Sequence, residues 1–320
     1  MDEYTMSNKK IYQNFSLIEP SIPIFSRSWW LDAVCGPESW DVALIEREGE
    51  VLAAMPYYIK RKLGLTLFTL PPLTQALGPW LKPSISKHTL GQQKDLMYAL
   101  IEQLPHFDYF AQNWHYTITN WLPFYWRGFE QTTRYTYILP DISDEKQLWN
   151  HLQGNIRRDI RKAENRFEHK VKDCLDLNDF LSLNQMTFER QNLSLPYTRD
   201  VVLHLDDACR NHKCRKIWIA EDANGIPHAG VYIVWDENSA YYLMGGGDPK
   251  LRSSGAASLC MWQAIRHAST VTHRFDFEGS MIESVERFFR GFGAIQVPYF
   301  RIIKKPSILL KLHDALKCIR

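Results

Sequence analysis

Residues 241–257 read YYLMGGGDPKLRSSGAA and residues 275–279 read FDFEG. An apolar, strand-like run from Tyr241 meets Gly245-Gly246-Gly247. The loop that follows, Asp248 to Ala257, contains Arg252-Ser253-Ser254-Gly255-Ala256-Ala257, an R-x-x-G-x-A turn ahead of a helix. That is the layout of a phosphate cradle: small residues let backbone amides approach a ligand, and a helix start offers unpaired N–H groups and partial positive charge. A glycine run after a strand is also an ordinary turn, so the flanking sequence decides between the two.

The flanks repeat earlier sequence. Trp40 to Ile59 reads as a hairpin turning at Glu48-Gly49, and Ile217 to Trp235 as another turning near Asn224-Gly225. Phe107-Asp108-Tyr109 matches Phe275-Asp276-Phe277, Arg127-Gly128-Phe129 matches Arg290-Gly291-Phe292, and aromatic strands follow at Tyr135 to Leu139 and Tyr299 to Ile303. Each half reads hairpin, loop, helix, strand, short helix, strand, at one long offset that means duplication more than a solenoid. The halves differ at the cradle. Leu63 to Leu81 is rich in Pro and Leu, and no R-x-x-G-x-A precedes the helix expected over Gln92 to Leu104.

Between the halves, Asp144 to Arg166 reads as one helix with Ser143 as its N-cap and Leu148, Leu152, Ile156 and Ile160 along one stripe. Its outer face carries Arg157, Arg158, Arg161, Lys162 and Arg166, either a solvated surface or a contact for an anionic ligand or RNA. A second helix, Leu177 to Arg190, leads into Gln191-Asn192 and a loop from Leu193 to Thr198.

The length of 320 residues suits one large or two medium domains. With 45% hydrophobic residues the chain can bury a full core, which argues against disorder. Lys+Arg 38 against Asp+Glu 36 demands no extended nucleic-acid footprint, and no DNA partner is expected. The six cysteines lack C-x-x-C spacing, and Met1-Asp2-Glu3-Tyr4 lacks the features of a signal peptide, so a reduced, cytoplasmic protein is expected. His204, Cys209, His212 and Cys214 fit no usual zinc spacing, and no metal is expected. No apolar run approaches the ~18 residues of a membrane span.

These features together resemble the GCN5-related acyltransferase (GNAT) fold, and the tandem arrangement resembles the Fem-type peptidoglycan aminoacyl transferases and their acyl-CoA-dependent relatives. Asn155 to Ala163 is similar to that family's basic linker helix, and Thr187-Phe188-Glu189-Arg190-Gln191 to its pre-sheet helix end. The resemblance implies an α+β fold of two tandem GNAT-like lobes, each a mixed, mainly antiparallel sheet flanked by helices. Its expected parts are a degenerate lobe over 1–142, a lobe with the acyl-donor site over 143–304, and an amphipathic basic tail over 305–320. It also implies that the strands Tyr241 to Gly246 and Arg274 to Glu278 splay apart, with the glycines forming the bulge that creates the splay. An acyl-pantetheine arm would pair with the exposed edge at Met244, Gly245 and Gly246. Its pyrophosphate would rest on the amides of Ser254, Gly255, Ala256 and Ala257, with Arg252 adding charge. A bulky residue at Gly255 is expected to abolish donor binding and leave the fold intact.

Acyl transfer to an amine needs a neutral nucleophile, a donor that polarises the acyl carbonyl, and a proton source for the leaving group. Period-two alternation places Asp276 and Glu278 opposite Phe275 and Phe277, where burial beside aromatics raises a carboxylate toward neutrality, as a general base requires. Asp276 has the structural alternatives of capping a helix or pairing with Arg274. Tyr242, or its companions Tyr232 and Tyr241, is a candidate to protonate the leaving group, and the N–H of Met244 or Gly245 to polarise the carbonyl. Arg190, Gln191 and Asn192 end the helix that borders the acceptor cleft in related proteins. The reading is N-acylation of an amine on a cell-envelope or glycan precursor, small or lipid-linked, with acetyl-CoA or another acyl-CoA as co-substrate. The alternatives are aminoacyl transfer from charged tRNA to a peptidoglycan precursor, and a noncatalytic scaffold. Ile308, Leu309, Leu312 and Leu316 give the tail an apolar side ringed by lysines. It would dock on the protein body or on an anionic membrane surface at the inner face of the membrane.

Overall fold

The structure, a computed structural model, describes residues 7–86, 89–174, 176–279, 281–307 and 310. The tail expected to be amphipathic therefore lies, from Ile308 on, almost wholly outside the described residues. Two units divide the chain, one of Met1–Arg134 with Pro298–Arg320 and the other of Tyr135–Val297.

In the first unit, β1 (Trp40–Arg47) and β2 (Glu50–Lys62) make the hairpin read from sequence, turning at Glu48 and Gly49, both at positive φ. The Pro- and Leu-rich segment was read as a loop, yet it holds β3 (Leu65–Thr69), antiparallel to β2, and β4 (Trp80–Leu81), also on β2. β5 (Tyr109–Asn113) then lies parallel to β3. Helices α1 (Asn8–Ile18), α2 (Ser28–Cys35), α3 (Pro83–Ser86), α4 (Leu90–Glu102) and α5 (Leu122–Trp126) belong to this unit.

The second unit repeats the plan with the part of β6 (Glu130–Leu139) from Tyr135 on, β7 (Lys170–Asp173), β8 (Arg215–Glu221), β9 (Pro227–Trp235), β10 (Ala240–Gly247) and β11 (Phe275–Asp276). β8 and β9 form its hairpin, β7 borders β8, β10 is antiparallel to β9, and β11 is parallel to β10 as β5 is to β3. Its helices are α6 (Glu145–His151), α7 (Gly154–Asn165), α8 (Leu177–Arg190), α9 (Arg199–Asn211), α10 (Ala256–Ala268) and α11 (Glu283–Arg290).

The closing strands are exchanged. β6 follows the short helix of the first half, but Ile138 and Leu139 pair with β11; β12 (Ile295–Lys304) follows the short helix of the second half, but Arg301 to Lys304 pair with β5. The repeat was correct in its order of elements and wrong in which half owns the last strand. Both closing strands show the same alternation, so the pattern cannot say which sheet each joins.

Alternation along β9 divides two layers. Val231 and Ile233 bury against Cys260, Met261 and Ile265 of α10, while Gly230 and Tyr232 face Phe180 of α8, whose ring lies 5.9 Å from that of Tyr232. Leu148, Leu152, Ile156 and Ile160 join the α10 layer, each buried side chain contributing about 1.5–3 kcal/mol of apolar transfer. Their helix is two helices. Gln153 leaves the helical path to donate its N–H to the Gly291 carbonyl, and Asp144, not Ser143, caps the first piece through the Lys146 and Gln147 amides.

Sequence reading missed α9, where Val202, Leu205 and Cys209 are buried. Cys209 thus serves packing, and beside it Asp206 is the hub of a buried polar cluster. Its carboxylate accepts from Arg210 (2.7 Å), Arg215 (3.0 Å) and the Tyr232 hydroxyl (2.8 Å). Asp206→Ala would leave the half-buried Arg215 charge and the Tyr232 hydroxyl without their acceptor. We expect it to cost about 3–5 kcal/mol in urea unfolding, with Asp206→Asn costing less.

Candidate active site

β10 and β11 begin side by side and then part. Ala240 pairs with Phe275 and Tyr241 with Asp276; among the described residues, 242–247 pair only with β9. β11 is shorter than the Arg274 to Glu278 expected because the chain turns out of the sheet at Glu278, at φ +58°.

The bulge lies ahead of the glycines, not in them. The β10–β9 register shifts between Tyr242 and Met244, after which Gly245, Gly246 and Gly247 pair regularly with Val231, Gly230 and Ala229. The glycines serve close approach. A Cβ on Gly246 would stand 2.4 Å from the Asn184 backbone nitrogen, and one on Gly245 1.7 Å from the Tyr242 hydroxyl.

α8 lends side chains to the open edge. Asn184 Nδ2 donates to the Gly245 carbonyl (2.8 Å), the Tyr197 hydroxyl donates to Asn184 Oδ1 (3.0 Å), and Thr187 Oγ1 accepts the Gly247 N–H (3.1 Å). Residues 245 and 247 thus turn their polar groups away from β9. By strand alternation Met244 and Gly246 turn theirs toward it, which makes the Gly245 N–H the donor on the open side. Asn184 and Tyr197 were overlooked in the sequence. The available signal was a polar residue one turn after Phe180, on the buried stripe of α8.

Asp276 is 5% exposed, and its Oδ1 accepts both the Thr136 hydroxyl and the Glu278 N–H (2.8 Å). These are its partners in place of a helix end or Arg274. Burial pushes Asp276 up to about 6 although both bonds pull it down. Glu278 is pushed well above the ordinary carboxylate value by burial first and by the Asp276 charge second. Phe275 and Phe277 turn the other way into the core, their rings 4.9 Å apart. Of the three tyrosines, Tyr232 is bound to Asp206 and Tyr241 to Asp236 (3.3 Å), whereas the half-buried Tyr242 places its hydroxyl over Gly245. Burial raises that hydroxyl well above its usual value, and Tyr197 and Glu278 add to the rise.

Past Gly247, a 3₁₀ turn at Arg252–Ser254 and Gly255 at φ +87° lead into α10, which starts at Ala256, inside the expected loop. A cleft of about 440 Å³ opens at that helix start. Ser254 and Ala256 do not offer their amides to it: the first donates to Leu251 O and the second to Ser254 Oγ. The helix's own first bond is Leu259 N–H to Gly255 O, so the Ala257 and Ser258 amides are the ones without intrahelical acceptors. Arg158, Arg252 and Arg287 line the cleft, with Asp159 and Asp248 also on its wall. Arg287, from α11, was not singled out in the sequence.

The other cations of α7 have local partners. Arg157 donates to Asn150 O (3.1 Å), Lys162 to Ser253 O, and Arg161 and Arg166 lie over Trp149 (5.8 Å) and Phe167 (5.7 Å). Gly255 forms a seam with the same helix, since a Cβ there would meet Asp159 O at 2.1 Å. A bulky residue at 255 would therefore disturb the fold itself, contrary to expectation. Arg190, Gln191 and Asn192 lie exposed at the end of α8; Gln191 bonds back to Thr187 O (3.3 Å), and Asn192, at φ +54°, closes the helix on Glu189 O. Among the described residues no cluster of three or more His, Cys, Asp and Glu is placed to hold a metal ion, and no helix is long and apolar enough to cross a membrane.

Residues 151–288, which span the parted strands and the cleft, match the family model described as acetyltransferase (GNAT) domain. Solved structures extend the likeness to the whole chain. FemX shares 14% identity over 92% of this chain and 96% of its own, with a TM-score of 0.67. The C-terminal domain of a lysylphosphatidylglycerol synthetase from Agrobacterium fabrum shares 13% over 97% and 96%, with a TM-score of 0.55. A tandem GNAT protein from the clavulanic acid biosynthesis pathway shares 8% over 92% of each chain, with a TM-score of 0.52. At these identities the likeness is one of fold. No curated protein matches the chain.

Because the folded Asp276 binds its proton more tightly than an unfolded aspartate, its burden on stability is absent below about pH 4 and grows as pH rises through about 6. Asp276→Asn should raise the thermal midpoint at pH 7–8, by a stabilisation on the order of 3 kcal/mol at most, and the gain should vanish near pH 4 in a pH series of melts.

Proposed function

We propose that this chain, whose second unit is a GNAT-type acyltransferase domain, moves an acyl group from acyl-CoA to an amine on a cell-envelope or glycan precursor. One observation carries the reading: the outward Gly245 N–H, the buried Asp276 and the half-buried Glu278 lie at the parting of β10 and β11, and β10 runs on to an arginine-lined helix start. The open edge of β10 suits the amides of a pantetheine arm, and the Ala257 and Ser258 amides with Arg158, Arg252 and Arg287 suit its phosphates.

In the reaction the amine nitrogen bonds to the thioester carbonyl carbon and the carbon–sulfur bond breaks. The Gly245 N–H and the Tyr242 hydroxyl above it polarise the carbonyl oxygen. Glu278 takes the amine proton and returns it to the leaving thiolate, a role that its raised proton affinity serves. Asp276 is a positioning residue: its Oδ1 holds the Glu278 amide, and its charge keeps the Glu278 affinity for protons high. The side chains that end α8, Arg190 to Asn192, border the acceptor side.

The tRNA reading rested on the cationic face of α7. Local partners now account for Arg157, Arg161, Lys162 and Arg166, and Arg158 turns to the cleft, which favours a compact anionic donor. A noncatalytic scaffold would have no use for two carboxylates that burden the fold.

Calorimetry should show micromolar binding of acetyl-CoA, weakened at least tenfold in Arg287→Glu, and none for charged tRNA; failure to bind any acyl-CoA would remove the donor assignment. With an amine acceptor found by screening, Glu278→Gln should lose about 10²–10⁴ in kcat. Asp276→Asn should move the acidic limb of the pH–rate profile to lower pH, because the charge that raises Glu278 is gone. An unmoved limb would exclude Glu278 as the titrating group.

A further inference from the structure

One end of the first unit's sheet gathers cations and exposed apolar side chains from segments far apart in sequence. The β2–β3 turn carries Lys60, Arg61, Lys62 and Leu63, all exposed, with Leu63 at φ +52° and 91% exposed. Strand register brings β12 to the same end: Ile59 pairs with Phe68, Phe68 with Phe110 and Phe110 with Lys304, three steps of about 4.8 Å. Lys304 Nζ donates to the Arg127 carbonyl (2.7 Å) and lies 4.8 Å from the Phe129 ring.

Arg127 closes α5, a single turn of helix that is apolar on both sides. Pro123 and Phe124 are buried, whereas Leu122, Tyr125 and Trp126 are 48%, 57% and 54% exposed. An outer face of this kind left in water marks an interaction site. Cations also outnumber acids. Lys60, Arg61, Lys62, Arg127, Lys304 and Lys305 stand against Glu38, just ahead of the β1 residue that faces Tyr58, Glu102, paired with Arg127 at 2.9 Å, Asp108, which accepts the Thr66 amide at 2.9 Å, and Glu130, next to Phe129.

We infer that this end of the first unit docks on an anionic lipid surface. A bilayer interface answers both features: its headgroups take the cations, its headgroup layer takes Trp and Tyr, and its acyl boundary takes a projecting leucine. An RNA backbone would satisfy the cations and offer Leu63 nothing. A folded partner would need one continuous apolar face, whereas the exposed apolar side chains here come from two separate elements, the β2–β3 turn and α5, each with a cation next in sequence at Lys62 and Arg127. The chain also leaves from this end. The Ser307 N–H donates to Asp108 O (3.4 Å), and residues 308–320 continue with Lys311, Lys317 and Arg320 among isoleucine and leucines. The docking surface lies in the first unit and does not depend on the donor assignment in the second.

The test is sedimentation of the full chain with vesicles of phosphatidylcholine alone or with phosphatidylglycerol. Binding should require the anionic lipid and fall as salt rises. Lys60→Gln with Lys62→Gln should weaken it about fivefold per cation removed. Leu63→Ser with Trp126→Ser should weaken it about tenfold at unchanged charge, while circular dichroism and acetyl-CoA binding stay as in the parent. The proposal is overturned if anionic vesicles leave the chain in the supernatant, or if both double variants bind like the parent, which would assign binding to residues 308–320. Micromolar binding of tRNA that depends on Lys60 and Lys62, without vesicle binding, would assign the surface to RNA instead.

Discussion

Beyond Tyr241, β10 has a strand neighbour on one side only, and much of the second unit follows from the need to answer for the backbone groups on the other side. An unanswered amide or carbonyl in a protein interior costs as much as a lost hydrogen bond. The chain answers with side chains where a partner strand would have been: Asn184 for the Gly245 carbonyl and Thr187 for the Gly247 amide. Both come from one face of α8, which reaches the strand because Gly246 has no side chain to hold the helix away. What these two do not cover is the Gly245 amide, and Tyr242 leans over that position. The open edge of β10 is thus closed by a helix except at the Gly245 amide.

The carboxylates at the end of β11 weigh on stability where they stand. Asp276 is held by Thr136 and by the amide of Glu278, bonds that favour its charge, and burial still raises it. Glu278 then carries both its own burial and its neighbour's charge. A core built only for stability would place apolar residues there, as Phe275 and Phe277 do on the opposite side of the chain. The second unit supports the pair through the large apolar layer between α10 and the sheet, so the local penalty does not decide the fold.

Local signals carried the sequence reading far. Hairpin turns, the stripe of Leu148, Leu152, Ile156 and Ile160, the small-residue R-x-x-G-x-A turn before a helix and the Phe-Asp-Phe-Glu-Gly segment all depend on neighbours within a few residues, and all were legible. Most failures share a cause. β7 is a short strand whose partner, β8, lies beyond α8 and α9, whereas β3 joins β2 through the tight turn at Leu63-Gly64 and was a local signal left unread. The break between α6 and α7 comes from a carbonyl at Gly291, more than a hundred residues on. Asn184, Tyr197 and Arg287 acquire meaning only where separate elements meet at the strand edge or the helix start. The carboxylates were legible because alternation is local, but their partners were not: Asp276 Oδ1 accepts from Thr136, on a strand far off in sequence, as well as from the Glu278 amide.

The exchanged strands bear on how the molecule comes into being. A ribosome delivers β1 to β5 early, yet β12, which pairs with β5, is made only after every element of the second half. Until then the outer edge of β5 has its ladder groups open to any other strand, a state that invites pairing between nascent chains. β6 meanwhile waits for β11, made over a hundred residues later. Each sheet thus takes its closing partner from a segment made much later, and contacts of such long sequence separation slow folding.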